Sequence, residues 1–132
     1  DFSAAFAAAR KFAGVDFIFA HWLGGALFDG IGGGAEAAKL PNVFFDSAAN
    51  PFVAGIEAWR TCVSEYPDSA IYGSDYPLRL YPRKFKTEEM ATIANEARAN
   101  VPAEFAGKFF SGNIAKIAFG GGRNSGFSQN NS

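Results

Sequence analysis

At 132 residues, with 48% hydrophobic and 16% aromatic side chains, the chain is one domain or a piece of one, with ample material for a packed core. Lys and Arg number 12 against 13 Asp and Glu, a net charge of −1 that leaves no electrostatic footprint for nucleic acid or an anionic membrane. No run approaches the roughly 18 apolar residues of a membrane span, and the single cysteine, Cys62, excludes an internal disulfide and fits a reducing, cytoplasmic setting.

Asp1 to Ala5 carry neither a charged n-region nor an initiator methionine, and read as the middle of something rather than as a signal peptide. Residues 3 to 13 predict a helix: Ser3 is the N-cap, Phe2, Phe6, Ala9 and Phe12 form one stripe, and Gly14 takes the C′ position. Val15 to Ala20 predicts a strand without a polar face beyond Asp16, as in a parallel strand covered on both sides. Gly30-Ile31-Gly32-Gly33-Gly34 lacks the GxGxxG spacing of a dinucleotide fingerprint and no strand runs directly into it; it reads as a loop at a site mouth. A short helix from about Ala35 to Leu40 closes at Pro41.

Asn42 to Asp46 predicts a second strand. The next helix is the clearest in the chain, because Phe52, Ile56, Trp59, Val63 and Tyr66 recur at spacings of four and three. Cys62 lies within it and reads as buried packing rather than a reactive thiol. Pro67 and Asp68 break that helix, and residues 69 to 74 form a third strand. The strand starts at 15, 42 and 69 are each 27 residues apart, a repeat that predicts parallel βα units with right-handed crossovers.

Arg79 to Lys86 reads as a solvated basic loop, with a phosphate or carboxylate contact as the sharper alternative. Thr87 caps a helix to about Asn100, Pro102 opens another through about Phe110, and a last one, about Asn113 to Phe119, buries Ile114 and Ile117. Residues 1 to 119 form the folded domain, and 120 to 132 a disordered polar tail.

Three parallel strands alone leave both sheet edges and much of both faces without cover. In open α/β sheets and in barrels, chemistry collects at the C-terminal ends of the strands. His21, Asp46 and Asp75 sit at those ends. An Asp before Ser47-Ala48-Ala49 organises its own turn, so Asp46 reads as structural. His21, the only histidine, and Asp75, between Gly73 and Pro77, are the candidates for one shared site.

Four segments now stand in order: Ala20-His21-Trp22-Leu23-Gly24-Gly25, Pro41-Asn42-Val43-Phe44-Phe45-Asp46-Ser47-Ala48-Ala49, Tyr72-Gly73-Ser74-Asp75-Tyr76-Pro77 and Gly112-Asn113-Ile114-Ala115-Lys116-Ile117. Together they resemble the C-terminal part of the amidohydrolase-related family of TIM-barrel metal-dependent hydrolases, which includes the aminocarboxymuconate semialdehyde decarboxylase-like enzymes. The resemblance implies an α/β fold that is the C-terminal part of a (β/α)8 TIM barrel, with three parallel strands (about 15–20, 42–46 and 69–74) standing for barrel strands six to eight. It implies that Asp75 is the strand-eight aspartate, a metal ligand in many members. It implies that His21 is the strand-six histidine, which activates metal-bound water, contacts substrate or binds metal. The implied cofactor is a divalent ion, most of all zinc, which favours imidazole and carboxylate ligands and lowers the pKa of its water to about 7.

The family's first-strand His-x-His and fifth-strand histidine have no counterpart here. One His and one Asp do not supply the roughly three protein ligands of a zinc site, so the resemblance implies a fragment of a longer protein, or a half that pairs with another chain. The implied activity is hydrolysis of an amide, ester or lactone, or non-oxidative decarboxylation of a small carboxylic acid, inactive in this chain alone. The competing readings are a non-catalytic barrel segment acting as an assembly module, and a nucleotide-binding domain using Gly30–Gly34. The expected partner is a small-molecule substrate, with neither nucleic acid nor membrane; a homo-oligomer is compatible with the sequence.

Overall fold

The structure, a computed structural model, describes residues 2–24, 33–48, 56–75 and 90–120. Three strands, β1 (Phe17–Phe19), β2 (Val43–Asp46) and β3 (Ala70–Ile71), form a parallel sheet in the order β1-β2-β3. Helix α1 (Phe2–Lys11) precedes β1, and a short turn, α2 (His21–Gly24), follows it. Before β2 lies α3 (Gly34–Ala37), and α4 (Ile56–Glu65) crosses over to β3. Beyond β3 come α5 (Met90–Asn100), α6 (Ala103–Gly107), a π-helical segment (Lys108–Gly112) and α7 (Asn113–Phe119). The expected strands are present but shorter than their apolar runs, and no helix among the described residues is long and apolar enough to cross a membrane.

Register fixes the two faces of the sheet. Phe17 pairs with Val43, Phe19 with Phe45, and Phe45 with Ala70, so these side chains share one face. That face packs into the main core with Phe6, Cys62, Val63, Ala97, Val101 and Phe109, and Phe6 meets Phe19 edge-on at 5.3 Å between ring centroids. Ile18, Phe44, Asp46 and Ile71 share the other face. The central strand is buried on both sides, which explains why Val43-Phe44-Phe45 has no polar alternation. The expectation of cover on both faces fails for β1. Among the described residues β1 has β2 as its neighbour on one edge, and Ile18 is left 48% exposed.

Two buried asparagines do work expected of other residues. Helix α1 begins at Phe2, so Ser3 lies inside its first turn, and it ends at Lys11 without Gly14 adopting a left-handed backbone. The amide of Asn42 instead donates to Ala9 O (3.0 Å), Phe12 O (3.3 Å) and Val15 O (2.9 Å), taking up carbonyls at the end of α1. Asn113 replaces Ile114 as the buried residue at the start of α7: Asn113 is fully buried and Ile114 is 40% exposed. Its amide donates to Pro67 O (2.9 Å) and Ala70 O (2.8 Å).

The expected break between a helix ending near Phe110 and another at Asn113 is absent. Gly107, Gly112 and Asn113 all hold right-handed helical backbone, and the π segment joins α6 to α7. Pro102 stands one position before α6 rather than inside it, and its carbonyl accepts the Phe105 N–H at 3.0 Å. Because Ser69 O and Ile71 O accept from Phe45 of β2 and from Ser47 just after it, the alternation of a strand turns the backbone groups of Ala70 and Tyr72 to the outer edge of β3. There the Ala70 carbonyl takes the Asn113 amide, and the Tyr72 N–H donates to Phe109 O at 3.0 Å. The terminal helix thereby occupies the outer edge of β3.

Cys62 is buried as expected, and burial pushes its thiol well above the usual range. The expectations for Gly30 to Gly32, Phe52, the Arg79–Lys86 loop, the Thr87 cap and the tail from Gly121 lie outside the described residues.

Candidate functional site

The C-terminal ends of β1, β2 and β3 carry His21, Asp46 and Asp75. Three residues other than glycine among those described have positive φ: His21 (56°), Trp22 (46°) and Asp75 (58°). All three lie just beyond the ends of β1 and β3. Left-handed backbone in a residue with a Cβ costs about 1–2 kcal/mol, and persists only where the surroundings over-determine it. His and Asp tolerate it better than most residues, whereas a bulky side chain does so rarely. Trp22 is held by its ring, which is fully buried in the core and anchors the turn after β1.

The end of β2 supplies the framework between the two candidates. Asp46 Oδ1 accepts the Ala48 N–H at 3.0 Å, the turn that its sequence context predicts. The same oxygen also accepts the His21 backbone N–H at 3.0 Å, which the sequence did not indicate. His21 Nδ1 lies 2.9 Å from the Ala48 carbonyl oxygen. A carbonyl only accepts, so Nδ1 carries the proton and Nε2 of the neutral ring holds the lone pair. His21 as a residue is exposed.

From the other side, Ser47 ties β2 to the segment leading to Asp75. Its N–H donates to Ile71 O at 3.0 Å, its hydroxyl lies 3.2 Å from Gly73 O, and it accepts the Gly73 N–H at 3.1 Å. Gly73 packs close enough that a Cβ there would stand 3.4 Å from both the Cβ and the nitrogen of Ala48. The Tyr72 ring packs on Phe109 and Phe110. Asp75 Oδ2 is buried without a hydrogen-bond partner among the described residues. A carboxylate oxygen left so is costly unless a proton donor or a cation satisfies it.

An outward imidazole nitrogen and an orphaned carboxylate oxygen are the borderline-hard donors that zinc takes, so His21 and Asp75 fit as two members of a ligand set. No group of three or more His, Cys, Asp or Glu that could hold a metal occurs among the described residues. Asp46 has its Oδ1 engaged by two backbone donors and serves the framework. Ser47 and Gly73 are the residues that sequence reasoning missed; the quoted motifs contain both, but nothing local shows that they bond across 26 positions.

A cavity of about 440 Å³ lies at the opposite end of the sheet, lined by Asp16, Leu40, Phe44, Tyr66, Asp68 and Lys116 among others. Its rim pairs Asp68 with Lys108 (2.9 Å) and Lys116 (3.4 Å), all largely solvated. That end of a parallel sheet is where stability, rather than chemistry, is usually built.

Comparison with known proteins gives one positive finding. The family model described as Amidohydrolase matches residues 2–117, nearly the whole of the described chain and all four motif segments. No curated protein and no solved structure gives a significant match. The chain belongs to the amidohydrolase family.

Proposed function

We propose that this chain carries part of the active site of a metal-dependent hydrolase acting on a small molecule, with Asp75 as a metal ligand and His21 as a second ligand or as the general base. The observation that carries the reading is the buried, unpartnered Oδ2 of Asp75 at the end of β3, on a residue held at φ 58°. Strained backbone and an unsatisfied carboxylate are features a fold retains where a ligand uses them. Family membership supports hydrolase-type chemistry, and the parallel, sequentially ordered strands are compatible with part of a (β/α)8 barrel.

In this reading a bound zinc ion supplies Lewis acidity and an ionisable water. Asp75 offers it an anionic oxygen. His21, with Nδ1–H committed to the Ala48 carbonyl, turns Nε2 toward the site, where it takes a proton or binds the ion. Remaining ligands come from outside the described residues. Hydrolysis of an amide, ester or lactone, and decarboxylation of a small carboxylic acid, both fit this donor pair.

The test is zinc affinity measured by competition with a chromophoric chelator. Asp75→Asn and His21→Ala should each weaken binding by roughly tenfold or more, since even outer partners of ligands are worth that much. In the complete enzyme His21→Ala should lower kcat by roughly 10²–10⁴-fold, the usual worth of a general base. Unchanged zinc affinity in Asp75→Asn would remove that residue from the site.

A second reading, a non-catalytic assembly module, is favoured by one observation. Among the described residues, the outer edge of β3 is bonded to the chain's own terminal helix through Ala70 and Tyr72, and the edge left to another strand is that of β1, beside the exposed Ile18. Zinc affinity indifferent to both substitutions would favour this reading.

A further inference from the structure

We infer that Asp46 is a positioning residue whose carboxylate fixes the ring of His21 in the Nδ1–H tautomer, so that Nε2 is the nitrogen offered to the site. The inference rests on the reading of His21 as a site residue for its functional meaning, but not for its geometry. Three contacts close a ring: His21 N–H to Asp46 Oδ1 (3.0 Å), Ala48 N–H to the same oxygen (3.0 Å), and His21 Nδ1–H to Ala48 O (2.9 Å). Each member depends on the others. Asp46 holds the peptide of Ala48 by its N–H, and the carbonyl of that residue then meets the imidazole.

The arrangement also accounts for the backbone of His21. The His21 N–H meets Asp46 Oδ1 at the end of β2, and beyond that nitrogen the chain turns, at φ 56°, into α2. A carboxylate oxygen that accepts backbone N–H groups makes charge-assisted bonds, about twice as strong as neutral ones. Two such bonds offset the conformational strain of a left-handed histidine. Just beyond β3, Gly73 packs beside Asp46 and Ala48: a Cβ there would stand 3.5 Å from the Cβ of Asp46. The Ser47 hydroxyl, bonded to Gly73, joins the His21 clasp to the segment that carries Asp75.

A single histidine makes this directly observable. The full chain labelled with ¹⁵N-histidine yields one pair of ring nitrogens in a long-range proton–nitrogen correlation spectrum, recorded near pH 8.5, above the usual imidazole range of about 6.5. The expected wild-type result is a pyrrole-type Nδ1 and a pyridine-type Nε2. Asp46→Ala should lose the Nδ1–H signature and revert to the Nε2–H form that an unconstrained imidazole prefers. Asp46→Asn retains an acceptor oxygen and should keep it. A purely structural Asp46 would lower the unfolding midpoint in Asp46→Ala and leave the tautomer unchanged, which would overturn the inference.

If Asp46→Ala does not fold, the wild-type and Asp46→Asn spectra decide: Nε2–H in either overturns the clasp, and Nδ1–H in both supports it. Zinc added afterwards tests the metal reading separately through the Nε2 resonance. Absence of any response would sink that reading while the tautomer stands, and an Nε2–H wild-type ring would sink the clasp whatever zinc does.

Discussion

Replacing Asn113 tests how the terminal helix is joined to β3. The side chain is fully buried, and its two amide hydrogens go to two carbonyls, Pro67 O and Ala70 O. Each bond is worth about 0.5–1.5 kcal/mol net, and a buried carbonyl left without a donor costs about 1–3 kcal/mol. Pro67 is only half-buried, so water can replace the amide at its carbonyl. Ala70 is fully buried and its carbonyl lies on the outer edge of β3, so that group would be orphaned. Asn113→Ala should therefore lose about 2–4 kcal/mol, a large share of the roughly 5–15 kcal/mol that holds a small domain together. Urea unfolding followed by tryptophan fluorescence reads this directly: at an m of about 2 kcal/mol/M, the middle of the typical range, the midpoint falls by about 1–2 M. Asn113→Asp, nearly identical in shape but without an N–H to give when ionised, should be worse than alanine. A loss below about 0.5 kcal/mol for Asn113→Ala, the range of ordinary surface changes, would show that the amide does not hold this junction.

Asn42→Ala should destabilise by about 1–3 kcal/mol, because the Asn42 amide caps α1; amide hydrogen exchange should rise first in α1, and uniform protection would refute the capping role. The thiol of Cys62, fully buried and shifted upward by burial, should react with a disulfide reagent only as fast as the protein opens, and rapid labelling of native protein would contradict the packing. The hydrogen bond from Lys108, with a smaller contribution from Lys116, holds the carboxyl of Asp68 below its usual range. A lowered folded-state pKa adds stability above the unfolded value of about 3.9, lost as pH falls through the lower value. Wild type should exceed Asp68→Asn by less than about 1 kcal/mol at neutral pH, since the pair is mostly solvated. That margin should shrink as pH falls below the usual carboxylate range and vanish once Asp68 is protonated in both states, and a margin that grows on acidification would reverse the assigned sign.

How much was legible depended on whether a signal was local. Val43-Phe44-Phe45 announces a strand buried on two faces because burial on both sides removes polar alternation. The spacing of Ile56, Val63 and Tyr66 announces α4, because a helix repeats one face every three to four residues. Asp46 was legible only in part. Its bond to Ala48 is two residues away and follows from turn chemistry, whereas its bond to His21 spans 25 positions and follows from the pairing of β1 with β2. Asn42 and Asn113 escaped for the same reason, as their partners lie 27 to 46 residues away. The exposure of Ile18 was illegible because an edge strand and a central strand can share an apolar sequence.

The π segment reconciles two repeats that do not match. Phe105, Phe109, Asn113 and Ile117 are spaced by four, and each is wholly or partly buried. A regular α-helix turns about 100° per residue, so such a series would wander by about 120° between its first and last members. One extra residue absorbed in Lys108–Gly112, where Asn113 N–H reaches back to Lys108 O, cuts that wander to about 20°. The bulge works like a leap day, inserted once so that a count of fours stays aligned with a cycle that is not four. Deleting one residue there should turn the segment into regular α-helix and keep Phe105, Phe109, Asn113 and Ile117 on one face, whereas inserting a second residue would turn Asn113 and Ile117 away from it by about 100°.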